Sequence, residues 1–215
     1  MSSEKYSYVF WDWNGTLLND LDWGIYSINK MLERRNLKVL NGVEEYHKVF
    51  CFPIIQYYLN VGLDLEREVF EELAVEYMSI YHGEGSEKIE LHTDAEKVLS
   101  ELDKKGALQV ILSASDMYYL NKQLSPFDIT KYFKDILGIN DIYAKSKIEV
   151  GLDYMSKNSV TNAVMIGDSV HDYEVSQAMG IDCILVSCGH QSREKLMSCK
   201  VPVLDNLHDI LNYFS

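Results

Sequence analysis

The sequence predicts an α/β fold: a doubly wound parallel sheet with an inserted all-helical cap domain. Three observations predict it. Five short runs are apolar at consecutive positions, as in strands that are covered on both faces. Helical patterns with recognisable ends separate the later runs. One interval of about seventy residues has helical patterns and no convincing strand, and it is too long for an ordinary crossover.

The predicted strands lie at the beginning of the chain and then at intervals through its second half. Their apolar runs are "YVFW" (8–11), "LQVIL" (108–112), "DILGI" (135–139), "AVMI" (163–166) and "CILV" (183–186). Strand and helix alternate in regular order after the interval, which implies a doubly wound sheet. We therefore assign residues 1–16 and 89–215 to an α/β core.

The core helices are indicated by signals at their ends. In "TDAEKVLSELDKKG", Thr93 and Glu96 fit a capping box and Gly106 fits a C-terminal cap. The pattern "VHDYEVSQAMG" ends in the same way at Gly180. The stretch "SKIEVGL" places Lys147 directly before another helix.

The interval from 17 to 88 is predicted to be a helical cap. Its four helical signals cover 20–35, 43–50, 53–61 and 65–81. Tyrosines at 57, 58, 77 and 81 fit a helical packing face. The stretch "HGEGSEK" (82–88) is the best candidate for a linker back to the core.

Composition limits the possible partners and the location. The net charge is −13 at pH 7 and no basic run occurs, which argues against nucleic acid and anionic membrane surfaces. No run approaches the roughly 18 apolar residues of a membrane helix, so we expect a soluble, cytoplasmic chain. The four cysteines lack metal-binding spacing and are predicted to be reduced. The six histidines are predicted to be surface or loop residues, and His190, in the loop after the fifth strand, is a possible substrate contact.

Polar and charged side chains follow the first four predicted strands. In chain order they are Asp12, Ser113, Lys145 or Lys147, and Asp168 with Asp172. Because the carboxyl ends of parallel strands meet at one edge of a sheet, we expect these side chains to converge on one crevice.

The chemistry of this set points to a metal and an anion. The carboxylates of Asp12 and Asp168 would repel each other unless a hard cation lay between them, and Mg²⁺ prefers such an oxygen site. A lysine and a serine beside the metal would hold a phosphate-like anion. With its charge neutralised, an aspartate can attack phosphorus and form an aspartyl phosphate.

The ordered motifs "DWNGTL", Ser113, Lys147 and "GDSVHD" resemble those of the haloacid dehalogenase superfamily. The stretches "SCGHQS" (187–192) and "FCFPIIQYYLNVGLD" (50–64) are similar to those of its phosphoglycolate-phosphatase-like members. The resemblance implies a Rossmann-like core, a helical cap placed after the first motif, Mg²⁺ as cofactor and a small phosphorylated metabolite as substrate.

The resemblance also implies roles for the site residues. It makes Asp12 the nucleophile and a metal ligand, and it makes the main-chain carbonyl of Asn14 a second ligand. Asp168 would be the third protein ligand, and Asp172 would support it or bind the metal through water.

The transferring phosphoryl group would be bound by the second and third motifs. The resemblance assigns substrate binding to Ser113, Ala114 and Lys147. We prefer Lys147 to Lys145 because it lies directly before a helix, as the superfamily's lysine usually does; Lys145 stays open as the alternative.

Asn14 departs from the superfamily's pattern. Phosphatases of the superfamily have an aspartate at this position, which protonates the leaving oxygen and later deprotonates the attacking water. An amide forms hydrogen bonds but does not exchange a proton at neutral pH. General acid–base catalysis typically contributes about 10² to 10⁴ in rate. The chain therefore keeps its nucleophile and lacks the usual proton shuttle.

Three functions stay open from the sequence. The first is a magnesium-dependent phosphohydrolase that forms an aspartyl phosphate on Asp12. The second is hydrolysis of a C–halogen bond, or of a C–P bond with Lys48 as a possible Schiff-base lysine. The third is a catalytically impaired binding or regulatory homologue. We expect a monomer or a weak homodimer.

Overall fold

The structure, a computed structural model, describes residues 6–139 and 146–214. The chain forms two compact units and passes between them at Leu18–Asn19 and again at Glu90–Leu91. We call them the α/β unit, which contains the first and last parts of the chain, and the helical unit, which lies between. The sequence-based division into core and cap, with boundaries at 16/17 and 88/89, stays a prediction.

The α/β unit is built on a six-stranded sheet in which every pair is parallel. The strands of the chain are β1 (Tyr8–Trp11), β2 (Leu18–Asn19), β3 (Glu90–Leu91), β4 (Leu108–Asp116), β5 (Phe133–Ile139), β6 (Ala163–Gly167), β7 (Asp182–Val186) and β8 (Val203–Leu204). The sheet order is β5-β4-β1-β6-β7-β8, and β2 pairs with β3 in a separate two-stranded sheet. The predicted doubly wound parallel sheet is confirmed.

The central strand β1 fixes where the carboxyl ends of its neighbours lie. All four of its residues are buried, as its unbroken apolar run predicts. Trp11, its last residue, is in register with Ile111 of β4 and with Ile166 of β6. The residues that follow β1 and β6 therefore begin within one residue of the same level of the sheet.

The helical unit contains four α-helices: α1 (Leu21–Arg34), α2 (Val43–Val49), α3 (Ile54–Asn60) and α4 (Phe70–Tyr81). Aliphatic and tyrosine side chains from all four form one core cluster. The prediction of a helix from residue 65 is wrong, because the chain turns first: Arg67 and Glu68 donate their main-chain N–H groups to the Asp64 carbonyl. The Asp64 side chain also accepts from the Glu66 N–H.

The described part of the α/β unit contains five further α-helices: α5 (Ala95–Lys104), α6 (Met117–Leu124), α7 (Lys147–Asn158), α8 (Val170–Met179) and α9 (Arg193–Met197). The predicted capping box of α5 is wrong: Asp94 precedes the helix in a left-handed conformation, with φ at 66°, and makes no capping bond. Capping boxes instead begin α7, at Ser146, and α8, at Ser169. None of the described helices is long and apolar enough to cross a membrane.

Candidate active site

Asp12 continues the line of β1 beyond its last residue. Its main-chain N–H donates to the carbonyl of Ile166 at 2.8 Å, which holds the backbone against β6. Its carboxylate Oδ1 lies 2.5 Å from Lys147 Nζ, and the side chain is 13% exposed. Within the described part of the chain, the second oxygen, Oδ2, has no hydrogen-bond partner. Asp12 therefore combines one paired oxygen with one available oxygen.

Lys147 lies between two carboxylates. Its Nζ is 2.5 Å from Asp12 Oδ1 and 2.7 Å from Asp172 Oδ1, and its side chain is 2% exposed. Burial opposes the charge, but the two carboxylates raise the pKa of the Lys147 ammonium above its ordinary value. The lysine is therefore charged at neutral pH. The alternative, Lys145, lies outside the described residues.

The residues after β6 fold into the N-terminus of α8. Asp168 Oδ2 accepts the main-chain N–H of His190 at 2.6 Å, and its Oδ1 accepts the Thr16 hydroxyl at 3.3 Å. Asp172 Oδ2 accepts the hydroxyl and the main-chain N–H of Ser169, at 2.6 and 3.0 Å. Because Asp172 Oδ1 faces Lys147, both of its oxygens are engaged.

The carboxylates of Asp12, Asp168 and Asp172 have oxygens within 4.8 Å of one another. Burial, followed by the charge of Asp172, raises the pKa of the Asp12 carboxyl to about 8, although Lys147 opposes this shift. Burial also acts to raise the pKa of Asp172, but Lys147 and Ser169 bring it below its usual value. Such a dense set of carboxylate oxygens fits a hard divalent cation, which would relieve the repulsion.

The second predicted motif lies on β4, which does not end at Leu112 as predicted but continues to Asp116. Ser113 is buried, and its Oγ accepts the main-chain N–H of Ser115 at 3.1 Å. The hydroxyl of Ser115 donates to Asn14 Oδ1 at 2.9 Å. Ala114 is exposed.

Two glycines let the backbone approach Asp168 closely. A Cβ on Gly15 would lie 2.3 Å from Asp168 Oδ2, and one on Gly189 would lie 2.2 Å from the same oxygen. Gly15 also has φ at 74°, which favours glycine. Any other residue at either position would displace the carboxylate.

Two histidines that the motifs do not include contact the site. His190 is buried and gives its main-chain N–H to Asp168. His92 Nε2 lies 3.1 Å from the Gly15 carbonyl oxygen; because that oxygen only accepts, Nε2 carries the proton. Both are loop residues, as predicted, but their contacts could not be inferred because they join segments far apart in the sequence.

The structure brings together Asp12, Lys147, Asp168 and Asp172. It links Asn14 to Ser115, the second residue after Ser113. Sequence reasoning missed Ser115 and Gly189, and it raised His190 only as a possible substrate contact; the position of Ser115 next to a predicted site residue, just after a strand, was the available signal.

Comparison with known proteins gives a consistent result. A family model described as haloacid dehalogenase-like hydrolase matches residues 9–186. A phosphoglycolate phosphatase of Pseudomonas fluorescens is 21% identical over 211 residues, which cover 94% of this chain and 78% of that protein. One of Aliivibrio fischeri is 21% identical over 152 residues, covering 69% of this chain and 64%, less than two thirds, of that protein.

Solved structures share the fold. A haloacid dehalogenase-like family hydrolase from Streptococcus pneumoniae has a TM-score of 0.84 and 18% identity, covering 98% of this chain and 99% of that one. A predicted phosphoglycolate phosphatase from Haemophilus somnus has a TM-score of 0.78 and 17% identity, and all of both chains is covered.

Proposed function

The chain belongs to the haloacid dehalogenase-like hydrolases, and from that membership we propose that it is a magnesium-dependent phosphohydrolase acting on small phosphorylated metabolites. One observation carries the proposal: a buried lysine and three carboxylates converge beside an available oxygen of Asp12. The names of the Pseudomonas fluorescens and Aliivibrio fischeri relatives, both phosphoglycolate phosphatases, support the same class of reaction.

The metal would be held by Asp12, Asp168 and the main-chain carbonyl of Asn14. Asp172 is the weaker candidate for direct binding because its Oδ1 is paired with the positive charge of Lys147, which repels a cation, and its Oδ2 accepts three hydrogen bonds from Asp168 and Ser169. We assign it the role of holding Lys147 in place. When bound, a magnesium ion would supply positive charge beside the reacting phosphoryl group.

In the first step, Asp12 acts as the nucleophile. Its Oδ2, which has no hydrogen-bond partner among the described residues, attacks phosphorus. The Oδ2–phosphorus bond forms, and the bond from phosphorus to the leaving oxygen breaks with its electron pair on that oxygen. Lys147, Ser113 and the main chain at Ala114 bind the phosphoryl oxygens. Asn14 cannot give the leaving oxygen a proton.

In the second step, water cleaves the phosphoryl–Asp12 bond. The water oxygen bonds to phosphorus, the bond to Asp12 breaks, and the carboxylate is regenerated. Both hydrogens of the water stay on the product as H₂PO₄⁻. Because Asn14 cannot take up a proton during the attack, this step lacks the usual general base.

The helical segment 17–88 is proposed to be a cap. In this role it would exclude water from the phosphoryl group and provide the side chains that choose the substrate. The substrate itself is therefore set by the cap, and the proposal names only its class.

The test measures phosphate release from p-nitrophenyl phosphate, acetyl phosphate and phosphoglycolate, with Mg²⁺ or with EDTA. We expect magnesium-dependent release from at least one of them. The matched control, Asp12→Asn, keeps the size of the side chain and should be inactive. Absence of release from all substrates, or equal release by the Asp12→Asn variant, would contradict the proposal.

A further inference from the structure

His92 makes two contacts with the turn that follows Asp12, which is formed by residues 13–18. Its main-chain N–H donates to the Leu17 carbonyl at 2.9 Å, and its ring Nε2 lies 3.1 Å from the Gly15 carbonyl oxygen. The neutral Nε2–H tautomer and the imidazolium both donate from this nitrogen, so the ring contact does not depend on the charge of His92. One residue thus holds two carbonyl groups of the turn.

The turn is also closed by its own main-chain hydrogen bonds. The Trp13 carbonyl accepts three N–H groups, those of Thr16, Leu17 and Leu18, at 3.3, 3.0 and 2.9 Å. The Gly15 N–H donates to the Leu18 carbonyl at 3.0 Å. These bonds set the path of the main chain on both sides of Gly15.

Gly15 is the point at which this turn could change shape. Glycine adopts many backbone conformations, and here its φ is 74°. The peptide group before Gly15 contains the Asn14 carbonyl, and the peptide group after it contains the carbonyl that His92 contacts. Because each peptide group is planar, rotation at Gly15 would change the angle between these two carbonyls. The His92 ring opposes that rotation by holding the second one.

Asp168 lies against the same glycine. A Cβ on Gly15 would lie 2.3 Å from Asp168 Oδ2, and a Cβ on Gly189 would lie 2.4 Å from the Gly15 carbonyl oxygen. The Thr16 hydroxyl donates to Asp168 Oδ1 at 3.3 Å. Rotation at Gly15 would therefore redirect the Asn14 carbonyl and disturb the Asp168 carboxylate together.

The backbone of His92 is held independently of its ring. Its N–H is bonded to the Leu17 carbonyl, and its own carbonyl accepts the N–H of Ala95, the first residue of α5, at 3.1 Å. The ring is therefore presented from a fixed point. A substitution of the side chain leaves these main-chain bonds available and tests the Gly15 contact.

We propose that His92 is a positioning residue for the metal site: its ring holds the Gly15 carbonyl so that the Asn14 carbonyl and Asp168 face the same magnesium ion. The inference rests on the proposed function, in which these two groups are ligands. His92 acts through the main chain and does not itself bind the metal. Its loss should weaken Mg²⁺ binding without abolishing it, because every ligand is still present.

The experiment measures the Kd for Mg²⁺ by isothermal titration calorimetry. His92→Phe keeps a planar ring and loses the donor, so it should weaken binding by about 2- to 12-fold, the worth of one hydrogen bond. His92→Gln places a side-chain N–H at a similar reach and should bind Mg²⁺ as the parent does. The matched control, His208→Phe, makes the same change at an exposed histidine and should also keep the parent Kd.

A general structural effect would give a different result. A variant that only loses stability keeps the Kd of its folded form, so binding is measured at a temperature where circular dichroism shows each variant to be folded. A parent-like Kd in His92→Phe, or an equal loss of affinity in His92→Gln, would overturn the inference and leave the proposed function intact.

A second measurement needs no metal. In EDTA, hydrogen exchange of the three N–H groups that donate to the Trp13 carbonyl reports opening of the turn. These groups should exchange several-fold faster in His92→Phe and at the parent rate in His92→Gln. The N–H of Val110, which is buried within β4, should not change in either variant.

This measurement separates the inference from the proposed function. If the parent binds no Mg²⁺, the proposed metal site fails, and exchange alone decides whether His92 holds the turn. Unchanged exchange in His92→Phe, or an equal acceleration at Val110, would overturn the role of His92.

Discussion

At the scale of single residues, Asn14 determines which leaving groups the site can handle. Replacing it by aspartate restores a group that can give and take a proton. We expect Asn14→Asp to speed hydrolysis of alkyl phosphates by up to about 10² to 10⁴, and that of aryl or acyl phosphates far less, because their oxygens leave without a proton. The measurement is kcat/KM for matched alkyl and aryl substrates.

The control for this prediction is Asp12→Asn combined with Asn14→Asp, which should be inactive. Peptide mass must show asparagine at position 14 of the parent before each assay. A variant no faster than the parent on any alkyl phosphate would mean that proton transfer does not limit this site.

The buried carboxyl of Asp12 makes stability depend on pH in the metal-free protein. Its folded-state pKa, about 8, lies above the usual 3.8. Between these values the folded protein holds a proton that the unfolded chain has lost, so this group destabilises the fold most above pH 8 and least near pH 4. Through this carboxyl, the free energy of unfolding changes by at most about 1.4 kcal/mol per pH unit.

Asp12→Asn should therefore stabilise the protein in EDTA, and by more at pH 8.5 than at pH 6. Urea unfolding at both pH values measures the two differences. Asp172 does not obscure the result, because its lowered pKa places its titration below this range. An equal gain at both pH values would show that the Asp12 carboxyl titrates normally.

At the scale of elements, substitutions of two tyrosines in the helical unit are expected to change the free energy of unfolding in opposite directions. Tyr57 of α3 is buried, and its hydroxyl has no hydrogen-bond partner among the described residues. Tyr81, the last residue of α4, donates its hydroxyl to the buried carboxylate of Asp20. Removal of an unpaired buried hydroxyl relieves a desolvation cost, whereas removal of a paired one loses a hydrogen bond, here one to a charged group.

Tyr57→Phe should accordingly raise the free energy of unfolding by about 1 kcal/mol, and Tyr81→Phe should lower it by about 1 to 3 kcal/mol. Both changes delete one oxygen and keep the ring, so each is the control for the other in urea unfolding. Loss of stability in the Tyr57→Phe variant would mean that its hydroxyl has a partner, such as a bound water.

The strands and helices show which parts of the fold could be predicted from the sequence and which could not. Continuous apolar runs predicted five strands of the main sheet. The predicted first residue of each strand lies within two residues of the observed one. These runs did not predict β8, because it has only two residues. They also did not predict that β4 continues beyond Leu112, because the residues of its bulge are polar. The predicted capping box of α5 is absent because Asp94 has a left-handed conformation, which the spacing of Thr93 and Glu96 does not indicate.

In the candidate site, the residues that follow strands could be predicted, and the contacts between loops could not. Asp12, Asp168 and Lys147 follow strands whose ends the apolar runs locate, so their convergence follows from the parallel sheet. The contacts of Ser115, His92 and His190 depend on how loops pack against one another, which a single sequence does not contain.

At the scale of the whole molecule, metal binding should appear as added stability. A ligand that binds only the folded protein stabilises it by about 2.7 kcal/mol when its concentration is 100 times its Kd. We expect Mg²⁺ to raise the midpoint of thermal unfolding of the parent. Asp168→Asn should abolish this rise, while Asp103→Asn, which changes an exposed carboxylate of α5, should keep it. A rise that persists in the Asp168→Asn variant would place the metal elsewhere.

The pairing of β2 with β3 has a consequence for the order of folding. Tyr8 of β1 pairs with Leu108 of β4, so the sheet cannot begin to form there until a loop of about 100 residues closes. Once the helical unit is folded and β2 meets β3, the loop left to close is roughly 30 residues, which lowers the entropic cost by about 1 kcal/mol. The helical unit is therefore expected to fold first, and substitutions that loosen it should slow the formation of a sheet to which it contributes no strand.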